Sequence, residues 1–454
     1  MEVINNFLSA VLPYTEWVML FLVIGGGLYL VIYSKLLPYK YFRHAIGITS
    51  GKYDDPSDPG EVSHLQALSS AVAATVGLGN ISGVAIAIYL GGPGVVFWIW
   101  ITAIVGMCIK FYSCSLAVMF RTNDTDGKLQ GGPMYYITQG IGSKAKPLAV
   151  FFCIAGLFGV LPAFTTNQFT QTLMSVINPD ETLMALGNFN WKFGIGIVLS
   201  IITSFVIFGG LKKIAAVATA IVPFMVLVYL LAVIFIMIMN AGEILPSLKL
   251  IFTEAFNLKT AAQGGLWGLI IIGIRRAVFS NESGVGNAPM YHGQSKTKEP
   301  IQEGLVAMLG PFIDTIVVCT LTAVVIILSG AYLEAETNGI AMTLIAFKKS
   351  LFGGDVLLMI IVSAFALSTL FTYSYYGTKC LSFLTNAKTG RFYNVIYILS
   401  ITFAAVASVD LVVNLIDLSF ALMVIPNMIA VLYLAPKVNQ AMKVYFSKTK
   451  NGTT

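Results

Sequence analysis

Ala73-Ala74-Thr75-Val76-Gly77-Leu78-Gly79-Asn80-Ile81-Ser82-Gly83 lies midway through an apolar run at residues 65–91 and makes a poor helix. From Thr75 to Gly83, three glycines, a threonine, an asparagine and a serine all weaken helix propensity. Unwound backbone at bilayer depth is tolerated only where it lines a cavity or packs on protein. Carbonyls freed there can hold a cation, and amides opening the resumed half-helix attract a carboxylate. The plainer alternative is that small residues let two helices approach closely. Thr75 and Asn80 on the same stretch tip the reading toward a binding site.

The rest of the chain supplies the membrane. Of 454 residues only 48 are Asp, Glu, Lys or Arg, or 11%, against about 25% in soluble domains. Hydrophobic residues reach 57%, and the mean hydropathy is +0.83. So few charges cannot cover a soluble surface of this size, which excludes a cytosolic enzyme, a nucleic-acid-binding module and a disordered scaffold. The net charge of +6 suits cytoplasmic loops rather than nucleic acid. Five cysteines lie in or beside apolar runs without a CxxC pair and read as small embedded residues. MEVINNFLSA lacks the basic start of a cleavable signal, so the first apolar run is expected to stay in the membrane.

Eleven stretches approach the ~20 residues a crossing helix needs: 15–37, 65–91, 93–120, 147–177, 193–210, 213–240, 263–281, 302–331, 355–385, 391–411 and 414–436. Their spacing is helical, so an all-α polytopic protein is expected. Segments 38–64, 241–262 and 332–353 read as interfacial. With the N-terminus outside, alternate loops and the C-terminal tail hold 22 of the 27 basic residues, leaving Lys192, Lys249, Lys259, Lys348 and Lys349 outside. That asymmetry predicts N-out and C-in.

A second weak helix is the seventh span, Gly264-Gly265-Leu266-Trp267-Gly268 through Gly273-Ile274-Arg275-Arg276 to Phe279-Ser280-Asn281-Glu282-Ser283-Gly284. Spans two to six and seven to eleven each open with a broken helix. Odd-numbered units insert with opposite orientation, and paired breaks point to a midplane site between inverted repeats. The expected organisation is an extra N-terminal helix with an interfacial segment (1–64), repeats at 65–240 and 241–436, and a cytoplasmic tail (437–454).

Gly77-Leu78-Gly79-Asn80-Ile81-Ser82-Gly83, Leu129-Gln130-Gly131-Gly132-Pro133-Met134-Tyr135-Tyr136 and Phe279-Ser280-Asn281-Glu282-Ser283-Gly284-Val285-Gly286-Asn287-Ala288-Pro289 resemble the signatures of the alanine or glycine:cation symporter family. The resemblance runs over nearly the whole chain, with Asn287 a departure where a smaller residue is expected. It implies a leucine-transporter-type fold of five plus five helices, with sodium-driven uptake of alanine or glycine across the plasma membrane. It also implies sodium as coupling ion, no further cofactor and a monomer in the lipid bilayer.

Residue by residue, the resemblance places the carbonyls of Ala73 and Val76 toward sodium, with Ser368 and Thr369 of the ninth span opposite. Carbonyls and hydroxyls suit a hard cation; the alternative for both hydroxyls is bonding to a carbonyl of their own helix. Thr75, Val76, Gly77 and Asn80 would meet the amino acid. Gln168 is expected to reach it from the fourth span, since a mid-membrane amide must find partners. Gly273 and Ile274 would close the pocket from the seventh-span break.

Asp314 is expected to pair with Arg275 or Arg276, or else to hold a second cation or a proton. The two arginines are expected to brace the cytoplasmic gate with Glu282. The 131–136 stretch reads as a tight turn followed by aromatic interface anchors. One rival is proton coupling on the same fold, to which Asp314 lends support; another is a channel or sensor. Enzyme chemistry has no H-E-x-x-H, G-x-S-x-G or Walker A motif to rest on, and His44, His64 and His292 are scattered.

Overall fold

Ser63 starts the helix that organises the protein. Its hydroxyl accepts from the Gln66 amide at 3.2 Å while Gln66 Oε1 accepts from the Ser63 amide at 3.0 Å, a reciprocal cap. The structure is a computed structural model and describes residues 2–55, 57–177, 190–257, 265–334 and 339–450. Gly264, Lys259 and the end of the tail at 451–454 lie outside the described residues.

Helix α1 runs Asn5–Tyr33. The broken second span gives α2 (His64–Thr75) and α3 (Leu78–Gly91), and α4 covers Val95–Met119. A small hairpin follows, β1 (Thr122–Asn123) pairing antiparallel with β2 (Leu129–Gln130). Next come α5 (Lys146–Gly159), α6 (Ala163–Ile177), α7 (Trp191–Ile207), α8 (Gly210–Met239) and α9 (Ala241–Glu254). The second half holds α10 (Gly265–Asn281), α11 (Ala288–His292), α12 (Pro300–Leu328), α13 (Ile340–Ser350), α14 (Gly354–Leu384), α15 (Tyr393–Ala404) and α16 (Val409–Lys450).

Among the described residues, eight helical stretches are long and apolar enough to cross a membrane, with α7 a shorter ninth. Helices α10, of 17 residues, and α15, of 12, complete the eleven expected spans. They are short because α10 gives way to a break before α11, and α15 ends in a turn onto α16.

Burial separates centre from periphery. The most apolar window of His64–Gly91 is 89% buried, whereas that of α8 is 28% buried. Phe224, Leu231 and Ile238 accordingly point outward, as lipid-facing side chains do. The first helix docks beside α4 through Gly27, where a Cβ would come within 2.3 Å of Val105 Cγ1. It also packs along α16, so the extra helix bridges α4 and α16.

Candidate functional site

The first break is two residues long. Val76 (φ −76°, ψ 95°) and Gly77 (φ −156°, ψ −151°) are extended between α2 and α3. Asn80 Oδ1 accepts from the Gly77 amide at 2.9 Å, so the resumed helix is capped from within. The same amide's Nδ2 donates to Ser280 Oγ at 2.9 Å and to the Asp314 carbonyl at 2.8 Å. Asn80 thus ties the break to α10 and α12 and faces structure, not the cavity. A Cβ on Gly77 would lie 2.7 Å from Thr369 Oγ1, so only glycine admits α14 this closely.

That approach brings oxygens together. Thr369 Oγ1 lies 3.1 Å and Ser368 Oγ 3.5 Å from the Ala73 carbonyl oxygen. Each hydroxyl also bonds to the Phe365 carbonyl of its own helix, at 3.1 Å and 2.9 Å respectively. The hydroxyls therefore bond within their own helix and also face the carbonyl of the break. A hydroxyl donates one proton and keeps lone pairs, which leaves an uncharged oxygen set suited to a hard cation.

Beside this set lies a cavity of ≈ 20 Å³, little more than the ~10–15 Å³ that one water requires. Ala74, Thr75 and Gly77 form one wall, Thr369 and Tyr373 of α14 another. Phe164 and Phe279 close it with rings 4.7 Å apart, edge to face. Thr165 and Ile416 complete the lining. Phe279 opens the third signature stretch, but Phe164, Tyr373 and Ile416 carry no motif of their own, and only helix phase around the breaks points to them.

The second break lies later than expected. Helix α10 continues through Gly273 and Ile274 to Asn281. Gly273 packs on α4, where a Cβ would come 2.6 Å from Trp98 Cβ, and Ile274 is buried. Neither lines the cavity, which corrects their expected role: the glycine serves helix contact, not unwinding. The chain leaves the helix at Glu282 (φ +53°), Gly284 (φ +86°) and Gly286 (φ +99°). Asn427 Nδ2 donates to the Gly284 carbonyl at 2.7 Å, and Tyr373 donates to Glu282.

Gln168 is also placed elsewhere. Its Oε1 accepts from Ser82 Oγ at 2.6 Å, and its Nε2 faces Asn167 Oδ1 and Gln171 Oε1, each at 3.3 Å. The amide finds its partners between α3 and α6, and α6 lines the cavity with Phe164 and Thr165 instead.

The charged groups pair differently from expectation. Arg275 donates to Glu16 of α1, and Arg276 Nη2 lies 2.7 Å from Asp417 Oδ2 of α16. Neither meets Asp314 or Glu282. Asp314 is fully buried, accepts from Thr315, and has no partner on Oδ2 among the described residues. Both arginines and the buried Lys110 lie within helices rather than in loops.

The 131–136 stretch is a buried plug, not a row of interface anchors. Gly131 packs on Gly293, where a Cβ would come 2.8 Å from its Cα, and Tyr136 is buried and donates to Asn427. Two of the three histidines, His64 and His292, are not scattered but meet. Glu303 of α12, fully buried, accepts from His64 Nδ1 at the start of α2 and lies 2.5 Å from His292 Nδ1 at the end of α11. Arg121 closes this corner, donating to the carbonyls of Gly293 (2.7 Å), Ser295 (2.6 Å) and Thr297 (2.9 Å). Burial pushes its guanidinium down to about 10.

A model of the sodium:alanine symporter family matches residues 1–454. The chain belongs to that family. Among similar sodium:alanine symporter family proteins is the sodium/alanine symporter AgcS of Methanococcus maripaludis, 37% identical over 99% of this chain and 97% of its own. A probable sodium/glutamine symporter, GlnT of Bacillus subtilis, is 33% identical over 95% of this chain and 88% of its own. Among solved structures, MhsT in complex with L-phenylalanine superposes with a TM-score of 0.59 at 15% identity, over 86% of this chain and 99% of that one. That likeness shows the fold: a leucine-transporter-type helical bundle with an added N-terminal helix. As a sodium:alanine symporter family member the chain is a multi-pass membrane transporter, not an enzyme.

Proposed function

We propose that the protein couples sodium entry to uptake of a small neutral amino acid, alanine or glycine, across the plasma membrane, with the N-terminus outside and the C-terminus cytoplasmic. The observation that carries this reading is the convergence of the Ala73 carbonyl with Ser368 and Thr369 hydroxyls beside the cavity. The Val76 carbonyl, released by its extended dihedrals, completes the sodium shell. Thr75 and the Gly77 backbone hold the amino acid's charged ends, and Asn80 holds the break in shape. The monomer works in the bilayer as two repeats, 65–240 and 241–436, rocking about this site.

Size argues for the substrate. AgcS carries alanine in its name and GlnT carries glutamine. In this chain two aromatic rings meet across the cavity, which favours a methyl group over a long amide side chain. Sodium and substrate share the wall at residues 73–77, so each stabilises the arrangement the other needs, and the coupling is reciprocal.

The test is uptake of labelled L-alanine into proteoliposomes under an inward sodium gradient. The expected result is accumulation that collapses without sodium and persists when only the pH gradient is dissipated. Accumulation that follows the pH gradient at fixed sodium would assign the coupling to protons.

A further inference from the structure

The central cavity is not the largest space on the route across the protein. A second cavity of ≈ 430 Å³ opens between the β1–β2 hairpin, the α7–α8 turn and the last turns of α14. The two lie in series along one helix. Thr369 and Tyr373 line the first, while Ser374, Tyr375 and Lys379 line the second.

The groups facing this second space are complementary to a zwitterion. Tyr375 is buried and its hydroxyl has no hydrogen-bond partner among the described residues. Lys379 Nζ sits 4.8 Å from the centroid of the Tyr375 ring and donates to Gln130. Among the described residues Lys379 forms no ion pair. A half-buried ammonium with one neutral hydrogen-bond partner, beside a phenol that has none, offers its charge to an incoming carboxylate. Glu61 and Asp124 line the same space, and their charge acts on Lys379. Asp124 Oδ2 accepts from Gln130 Nε2 at 2.8 Å and its Oδ1 accepts from the Asp126 and Lys128 amides, each at 2.9 Å, so Asp124 is committed to the hairpin and Glu61 is the carboxylate left for a ligand. Asp126, paired at the rim with Arg391 at 3.4 Å, is spent on that pair.

We infer that this cavity is a second amino-acid site, a way-station on the cytoplasmic side of the transport path. Lys379 and Tyr375 take the carboxylate of a small neutral amino acid, and Glu61 takes its ammonium group. Lysine's point charge suits a ligand that must leave again, because it imposes no bidentate geometry. The inference rests on the transport reading above and adds to it a stop after the central site opens.

The experiment measures exchange of labelled L-alanine in proteoliposomes, with the half-saturating concentration taken separately from each membrane face. Lys379→Met is expected to raise that concentration about tenfold on the face where α14 ends. The opposite face and the sodium half-saturation should stay unchanged. Lys379→Arg should restore most of the affinity, and Tyr375→Phe should give a smaller rise on the same face alone. An equal shift at both faces, or none at either, would overturn the second site. If Lys379→Met does not fold, Tyr375→Phe judged by the same one-face criterion decides. Sodium-driven uptake by the unaltered protein tests the transport reading independently, because a one-face shift is readable whichever cation drives exchange.

Discussion

The two helix breaks look equivalent in hydropathy but are built differently. The first is two residues of extended backbone, reclosed at once by Asn80, and its wall meets the hydroxyls of α14. The second is longer, runs through left-handed backbone at Glu282, Gly284 and Gly286, and is bound by side chains of α14 and α16. A short break presents main-chain oxygens at fixed positions, which a small ion requires. A long break needs side chains to fix its shape, here Tyr373 and Asn427. The difference teaches that the first break is built to present oxygens, as the proposed site needs, whereas the second sets the geometry of the half-helix beyond it.

Substitution of the break glycines tests this division most severely. Gly77→Val is expected to reduce alanine uptake by about a hundredfold or more, because the new side chain collides with Thr369 and displaces α14 from the ion. Gly284→Ala places an L-residue at φ +86° and should cost about 1–2 kcal/mol of stability while leaving sodium-dependent uptake measurable. Uptake and thermal unfolding of both variants, measured together, would erase the distinction if the two failed alike.

A finer contrast compares hydroxyls on one helix. Ser368→Ala combined with Thr369→Val is expected to raise the sodium concentration for half-maximal uptake about tenfold. Tyr373→Phe, which releases Glu282 at the second break, should leave sodium dependence near that of the parent and alter the maximal rate instead. Sodium titrations of uptake read both, and a sodium shift in Tyr373→Phe would merge the roles of the two breaks.

Gln168→Ala should have the smallest effect. Its amide bonds Ser82 away from the cavity, so about 1 kcal/mol of stability is at stake and alanine affinity should change less than about threefold. Binding of labelled alanine checks it; a large loss of affinity would return Gln168 to the substrate.

How legible the site was depends on which residues are considered. Ala73, Thr75, Gly77, Ser368 and Thr369 were readable because helix-breaking composition and adjacent hydroxyls leave a signature in one dimension. Gly273 and Ile274 were misplaced because glycine in a membrane helix serves close packing as readily as unwinding, and here Trp98 of α4 occupies the space. The partners of Arg275, Arg276 and Asp314 were not readable at all. Three intramembrane charges admit several pairings, and only the register of α1 and α16 against α10 selects Glu16 and Asp417.

From the sequence alone came the solvent, the number of spans, the first break and the expected charge asymmetry. Those properties follow from composition and from hydrophobic runs, which are local. Tertiary structure alone decided where the second helix opens and that Phe164 and Phe279 close the cavity. It also showed that His64 and His292 share Glu303, and that Lys379 faces a second space. Each of these depends on side chains far apart in the chain meeting at a helix crossing. Crossing geometry is set by the packing of all the helices together, so no single stretch of sequence encodes it.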